Sequence, residues 1–191
     1  AFLTSPYDQL RISSGDAIPN FIVSKLEKFI LSITFFLILT LLSFAIFDKG
    51  DTVLVPNPTY PSHLYSVAIA GARIHDMPIT KENGFIPELS QKICAGPRKP
   101  KAIIISYPNN PTAQVAEMDF FDRVVRFAKK NNLIVIHDNA YAEIGFDGYR
   151  APSFLQAKGA KDTGIEFYSL SKTYNMAGWR VGFAVGNKHV I

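Results

Sequence analysis

Short runs of Ile, Val and Leu, each ended by a string of polar and turn-forming residues, constrain this chain most. Ala102 to Ile105 runs into Ser106 to Ala113 (SYPNNPTA), Leu133 to Ile136 into His137 to Tyr141 (HDNAY), and Ile165 to Tyr168 into Ser169 to Arg180 (SLSKTYNMAGWR). Apolar runs bounded by Pro, Asn and Asp have the composition of parallel strands covered on both faces. Between them Glu117 to Lys130 reads as a helix. Phe120, Phe121, Val124, Val125 and Ala128 form its apolar stripe, with Asp119 and Arg123, and Asp122 and Arg126, four apart on the wet side. Thr52 to Val55, Arg73 to Ile79 and Val181 to Val185 read as further strands and Ser62 to Gly71 as a helix. No repeat or low-complexity linker divides residues 50–191. They therefore read as one α/β domain, a mostly parallel doubly wound sheet with flanking helices.

In such a sheet ligands bind at the strand carboxyl ends, which is where the polar strings fall. Lys172 offers an amine able to form a Schiff base with a carbonyl, Ser169 and Ser171 flank it with hydroxyls, and Arg180 adds a planar fork suited to phosphate. Asp138 is a carboxylate that can keep a pyridine nitrogen protonated; Tyr141 and the Asn110 amide can donate to a phenolic oxygen. Tyr60, in the loop Pro56 to Pro61 (PNPTYP), offers an aromatic face. Taken singly, each piece has a plainer reading: a strand-end turn, a β-turn at Asn-Asn-Pro-Thr, a packed loop aromatic, a surface lysine. His137 fits a satisfied strand-end histidine better than a partner orienting Asp138. The four strings occurring together and in order are what separate the readings.

Those strings resemble the motifs of class I/II pyridoxal-phosphate aminotransferases of fold type I, and HDNAYAEIGFDG and LSKTYNMAGWRVGF are most similar to alanine-type and LL-diaminopimelate-type enzymes. The resemblance implies pyridoxal 5'-phosphate as cofactor, with Tyr60, Asn110, Asp138, Tyr141, Ser169, Ser171, Lys172 and Arg180 binding it. It implies Lys172, Asp138 and Tyr141 as catalytic residues and transfer of an amino group from an amino acid to a 2-oxo acid. A carbon-sulfur lyase or cyclopropane-carboxylate synthase would keep the same motifs, and a non-catalytic or membrane-tethered remnant is the alternative from another class. A cytoplasmic homodimer is implied as well. Beyond Ile191 the family has a smaller carboxy-terminal domain carrying the arginine that grips the substrate carboxylate. On this reading residues 50–191 are an incomplete large domain, and residues 1–191 alone do not turn over amino acids usefully.

Composition excludes some other classes. At 191 residues, 48% hydrophobic and 19% charged, the chain is globular in character. Its net charge of +4 is spread out apart from Arg98, Lys99 and Lys101, a cluster without interleaved aromatics, which disfavours a nucleic-acid partner. The single cysteine, Cys94, excludes an internal disulfide, and no Cys/His cluster has metal-ligand spacing. Residues 1–49 read as an atypical amino-terminal segment. Phe29 to Phe47 holds nineteen residues without a charge, which meets the length criterion for a membrane span. A span directly before the sheet would disrupt its packing, so the membrane reading is disfavoured. The resemblance instead places a helix here, entered through a phosphate-binding turn of which Val23, Ser24 and Lys25 retain a trace.

Overall fold

The apolar runs become strands buried on both faces. In the computed structural model, which describes residues 30–32 and 35–191, the elements follow as β1 (Ile30–Ser32), α1 (Phe35–Ile46), β2 (Thr52–Asn57), α2 (Pro61–Ile69), β3 (Arg73–Pro78) and α3 (Gln91–Cys94). Then come β4 (Pro100–Ser106), α4 (Met118–Asn131), β5 (Ile134–Asp138), β6 (Gly164–Ser169), α5 (Leu170–Thr173) and β7 (Gly182–Gly186). The strands form one sheet in the order β1-β7-β6-β5-β4-β2-β3. Pairing is parallel from β3 through β2, β4 and β5 to β6, and antiparallel at β6 with β7 and at β7 with β1. The sheet is thus mostly parallel, and the strand expected over Val181 to Val185 is the one that runs against its neighbours.

Successive side chains of a strand leave opposite faces, and here the alternation divides the interior in two. Leu54, Ile103, Ile105 and Val135 pack with Phe120, Phe121, Val124, Val125 and Ala128 of α4. On the other face Val53, Val55, Ala102, Ile104, Ile136 and Ile165 pack with Ile38, Leu39 and Leu42 of α1 and Val67 of α2. The α4 stripe is the one its 3.6-residue period requires. Asp119 in its first turn and Lys129 and Lys130 in its last suit the helix dipole, and Asn132 closes it in the left-handed conformation. Asp119 also bonds Arg123 at 3.3 Å on the exposed side.

The charge-free run is divided between β1 and α1. A helix of twelve residues, as α1 is, reaches about 18 Å, well under the ~30 Å of a bilayer core. Among the described residues no helix is long and apolar enough to cross a membrane. Val23, Ser24 and Lys25 lie outside the described residues.

Phe121 sits at the centre of the α4 face, fully buried, with its ring 4.9 Å from that of His137 and 5.5 Å from that of Phe120. Truncating it leaves a cavity that the surrounding rings cannot close. Phe121→Ala should lower unfolding free energy by roughly 3–5 kcal/mol in a urea titration. Phe146→Ala, at a position 79% exposed, should stay within about 0.5 kcal/mol of the parent.

Candidate active site at the carboxyl edge of the sheet

Because β2, β4, β5 and β6 are parallel, their carboxyl ends open on the same edge. Asp138 closes β5 there and is buried. Its Oδ1 accepts the Ala140 amide at 3.1 Å, and its Oδ2 lies 2.9 Å from Nε2 of His63, which is 1% exposed. An ionised carboxylate can only accept, so Nε2 donates to it, while Nδ1 lies 2.6 Å from the Thr59 hydroxyl. Thr59 belongs to the loop after β2, and His63 to the first turn of α2, which starts at Pro61 where its missing N–H costs nothing. Tyr60 caps that helix through its backbone, and its exposed ring stands edge-on to His63 at 6.1 Å between centroids.

A second group gathers beside it. Asn110, four residues past β4, donates its amide to the Tyr141 hydroxyl at 3.2 Å. Nζ of Lys172 stands over the Tyr141 ring, 5.7 Å from its centroid. Ser169 ends β6 and its Oγ accepts the Ser171 amide, capping the single turn α5 that carries Ser171 and Lys172. Opposite Ser169 in the ladder is Gly182, where a Cβ would stand 2.6 Å from the Tyr168 carbonyl, so only glycine lets β7 pair this close to the site. Arg180 lies beyond a further 3-10 turn, in the left-handed conformation, and its exposed guanidinium donates to the Ala177 carbonyl at 2.7 Å. The lysine, hydroxyls and arginine therefore occupy a strand end and two successive turns. The lengths of α5 and the 3-10 turn impose this separation.

A cleft of about 640 Å³ adjoins this cluster, lined by Pro108 to Pro111, Ala113, Val115, Tyr141 and the segment Ile144 to Asp147 with Tyr149. Its walls are largely apolar, and Asn110 and Tyr141 belong to both the cleft and the cluster.

His137 does not orient Asp138. Adjacent residues of a strand face opposite ways, and its ring turns toward Phe121 and Phe154. There Nδ1 meets Glu166 Oε2 at 2.9 Å and Nε2 meets the Tyr107 carbonyl at 3.3 Å, the satisfied arrangement read from the sequence. Glu166 also accepts from Asn139 Nδ2, from the Ser153 hydroxyl and from the Phe154 amide. Burial opposes its charge, yet the His137 hydrogen bond and charge, with the bonds from Ser153 and Asn139, hold its carboxyl below the usual range. His63, Thr59 and Glu166 are the residues that sequence reasoning passed over. A glutamate inside the apolar strand Gly164–Ser169, with a histidine inside its neighbour, was the available signal of a buried pair.

The family described as "Aminotransferase class I and II" matches residues 35–191. The glutamate-pyruvate aminotransferase AlaC of Escherichia coli is 51% identical over 150 residues, covering 78% of this chain and 36% of that protein. An LL-diaminopimelate aminotransferase of Dehalococcoides mccartyi is 54% identical over 147 residues, covering 75% and 37%. Among solved structures, substrate-bound BacF from Bacillus subtilis superposes with a TM-score of 0.80 at 42% identity, over 85% of this chain and 41% of that one. The chain thus spans little more than a third of the length of the curated relatives it matches.

The Glu166 carboxyl binds its proton less readily in the folded protein. Its stabilisation is therefore complete above the ordinary carboxylate range, roughly pH 4 to 5, and is lost as pH falls through the lower folded value. Glu166→Gln should be less stable than the parent at pH 7 by roughly 1.5–3 kcal/mol, and the gap should narrow in urea titrations below about pH 4.

Proposed function

The chain belongs to the class I and II aminotransferase family, and on that premise we propose that its sheet edge is a pyridoxal 5'-phosphate site and that the whole protein moves an amino group from an amino acid to a 2-oxo acid. Members of this family use pyridoxal phosphate. The observation that carries the reading is the convergence, at one edge, of the Lys172 amine, the Asn110–Tyr141 pair and the His63-held Asp138. As a donor set it suits that ligand: an amine for an aldehyde, a buried carboxylate for a pyridine nitrogen, two donors meeting at one point for a phenolic oxygen, and hydroxyls with a guanidinium for a phosphate.

When bound, the cofactor supplies an aldehyde and a protonated ring that withdraws electrons. The chain's own residues do the rest. Asp138 holds the proton at the ring nitrogen, and His63, itself braced by Thr59, stops the carboxylate from turning away. Tyr141 and Asn110 share the ring oxygen, since the amide already donates to the hydroxyl and the hydroxyl's own proton is free to donate onward. Ser169 Oγ accepts from the Ser171 amide and keeps its proton for the phosphate. Arg180, exposed and donating to a carbonyl of its own turn, can turn its fork to the same group. Tyr60 would offer its exposed ring as an aromatic face to the cofactor. Lys172 Nζ would hold the cofactor through its aldehyde and, as the amine nearest the site's donors, would serve as the base that moves the substrate proton. The apolar cleft beside Asn110 and Tyr141 gives the substrate side chain a place that excludes water.

We further infer a cytoplasmic homodimer. The exposed apolar side chains Leu41 and Phe44 on α1 and Tyr65 and Ile69 on α2 support a partner surface, and the buried free thiol of Cys94 accords with a reducing compartment.

Borohydride treatment of the purified protein with pyridoxal phosphate should fix the cofactor covalently to the peptide carrying Lys172, and Lys172→Ala should abolish the labelling. Labelling of another peptide would sink the assignment. Asp138→Ala should slow proton abstraction by roughly 10²-fold or more while weakening cofactor binding far less. Arg180→Ala should show the opposite bias, because it removes charge from the phosphate and not from the ring. Equal losses in both quantities would make Asp138 a structural residue.

A further inference from the structure

Glu166 lies away from the reactive side chains of the sheet edge, yet its carboxylate holds both ends of a loop that forms that edge. Asn139, directly after Asp138, opens the loop that carries Tyr141, and Ser153 and Phe154 close it. All three donate to Glu166: Asn139 Nδ2 at 3.2 Å, the Ser153 hydroxyl at 2.9 and 3.0 Å, and the Phe154 amide at 2.8 Å. One carboxylate thus clamps both ends of loop 139–153. Through His137 it reaches further, because that ring spans from Glu166 to the Tyr107 carbonyl, at the root of the segment that presents Asn110. Glu166 itself sits on β6, three residues before Ser169 and the turn that bears Lys172.

We propose that Glu166 is a positioning residue of the site, fixing the Tyr141 loop directly and the Asn110 segment through His137, so that the two donors meet. The role rests on the functional reading given above, and it does not follow from packing alone. A buried carboxylate is expensive unless its lone pairs are filled, and an apolar residue in β6 would serve the core at least as well. What the carboxylate adds is a common acceptor for donors from both ends of one loop and from a neighbouring strand. If any donor moves, the charge is left short of partners, so the loops hold one arrangement instead of several.

The test compares the parent chain with Glu166→Gln and with Val67→Ala, a cavity variant in the opposite core whose stability loss serves as the control. Gln keeps the volume and one acceptor but sets an N–H₂ group against a donor. Amide hydrogen exchange of residues 139–153, measured without cofactor, should quicken roughly tenfold more in Glu166→Gln than in Val67→Ala at equal global stability. With pyridoxal phosphate bound, the pH at which the cofactor's absorption changes should move in Glu166→Gln and stay put in Val67→Ala, since Tyr141 and Asn110 would no longer meet at the ring oxygen. Conservative Glu166→Asp should partly restore both. Equal exchange in the two variants, or faster exchange with an unmoved absorption titration, would overturn the proposal. Absence of cofactor binding by the parent would fall on the functional reading, and the exchange comparison would still decide the clamp.

Discussion

After β3 pairs with one side of β2, the chain crosses back and places β4 on the other side of that same strand. Connections from β2 and from β4 consequently leave in opposite directions and cannot fill the space between their ends. In open α/β sheets this reversal is what makes a crevice. The loop after β2 and the first turn of α2 deliver Thr59, Tyr60 and His63 to one lip, and the segment after β4 delivers Asn110 to the other. The next two strands add Asp138 and the Ser169 to Lys172 turn. The Asp138–His63 contact depends on that one crossing, and on β2 and β4 being too well buried, with Val53, Leu54, Ile103 and Ile104 all at 0% exposure, to shift.

Two buried carboxylates accompany the crevice, one on each face of the sheet. Asp138 looks toward α2 and finds His63; Glu166 looks toward α4 and finds His137, Asn139, Ser153 and the Phe154 amide. Burying charge without partners costs several kcal/mol, so both are surrounded by donors. The division of labour follows from the number of filled lone pairs. Glu166 is saturated and serves as an anchor. Asp138 accepts from His63 and one backbone amide, which leaves it acceptor capacity for a further proton at the edge.

Much of this was legible in the chain itself. The strands and α4 announce themselves because a run covered on both faces must be apolar throughout, while a helix covered on one must alternate every three or four residues. The strand-end strings placed Asn110, Asp138, Tyr141 and Lys172 on one edge, since parallel strands share their polarity. Other features could not be read. Nothing local tells which side of β5 faces α2, so His63, remote in sequence from Asp138, escaped notice, and the closer His137 was weighed instead. The antiparallel course of β7 is set by the short return through α5 and the 3-10 turn Ala177–Trp179, which no hydrophobic period records. The apolar run from Phe29 was readable as a single segment only because its composition hides the break between β1 and α1.

Whether Asp138 holds a proton at the ring nitrogen is read most directly by nitrogen-15 NMR of the protein loaded with ring-labelled pyridoxal phosphate. With His63 fixing the carboxylate, the labelled nitrogen should keep the chemical shift of a protonated pyridine well above the pH at which the free cofactor loses that proton, and should revert to the unprotonated shift in Asp138→Ala. A nitrogen that titrates in the bound parent as it does in free solution would contradict the assignment of Asp138, and with it the function proposed for this edge.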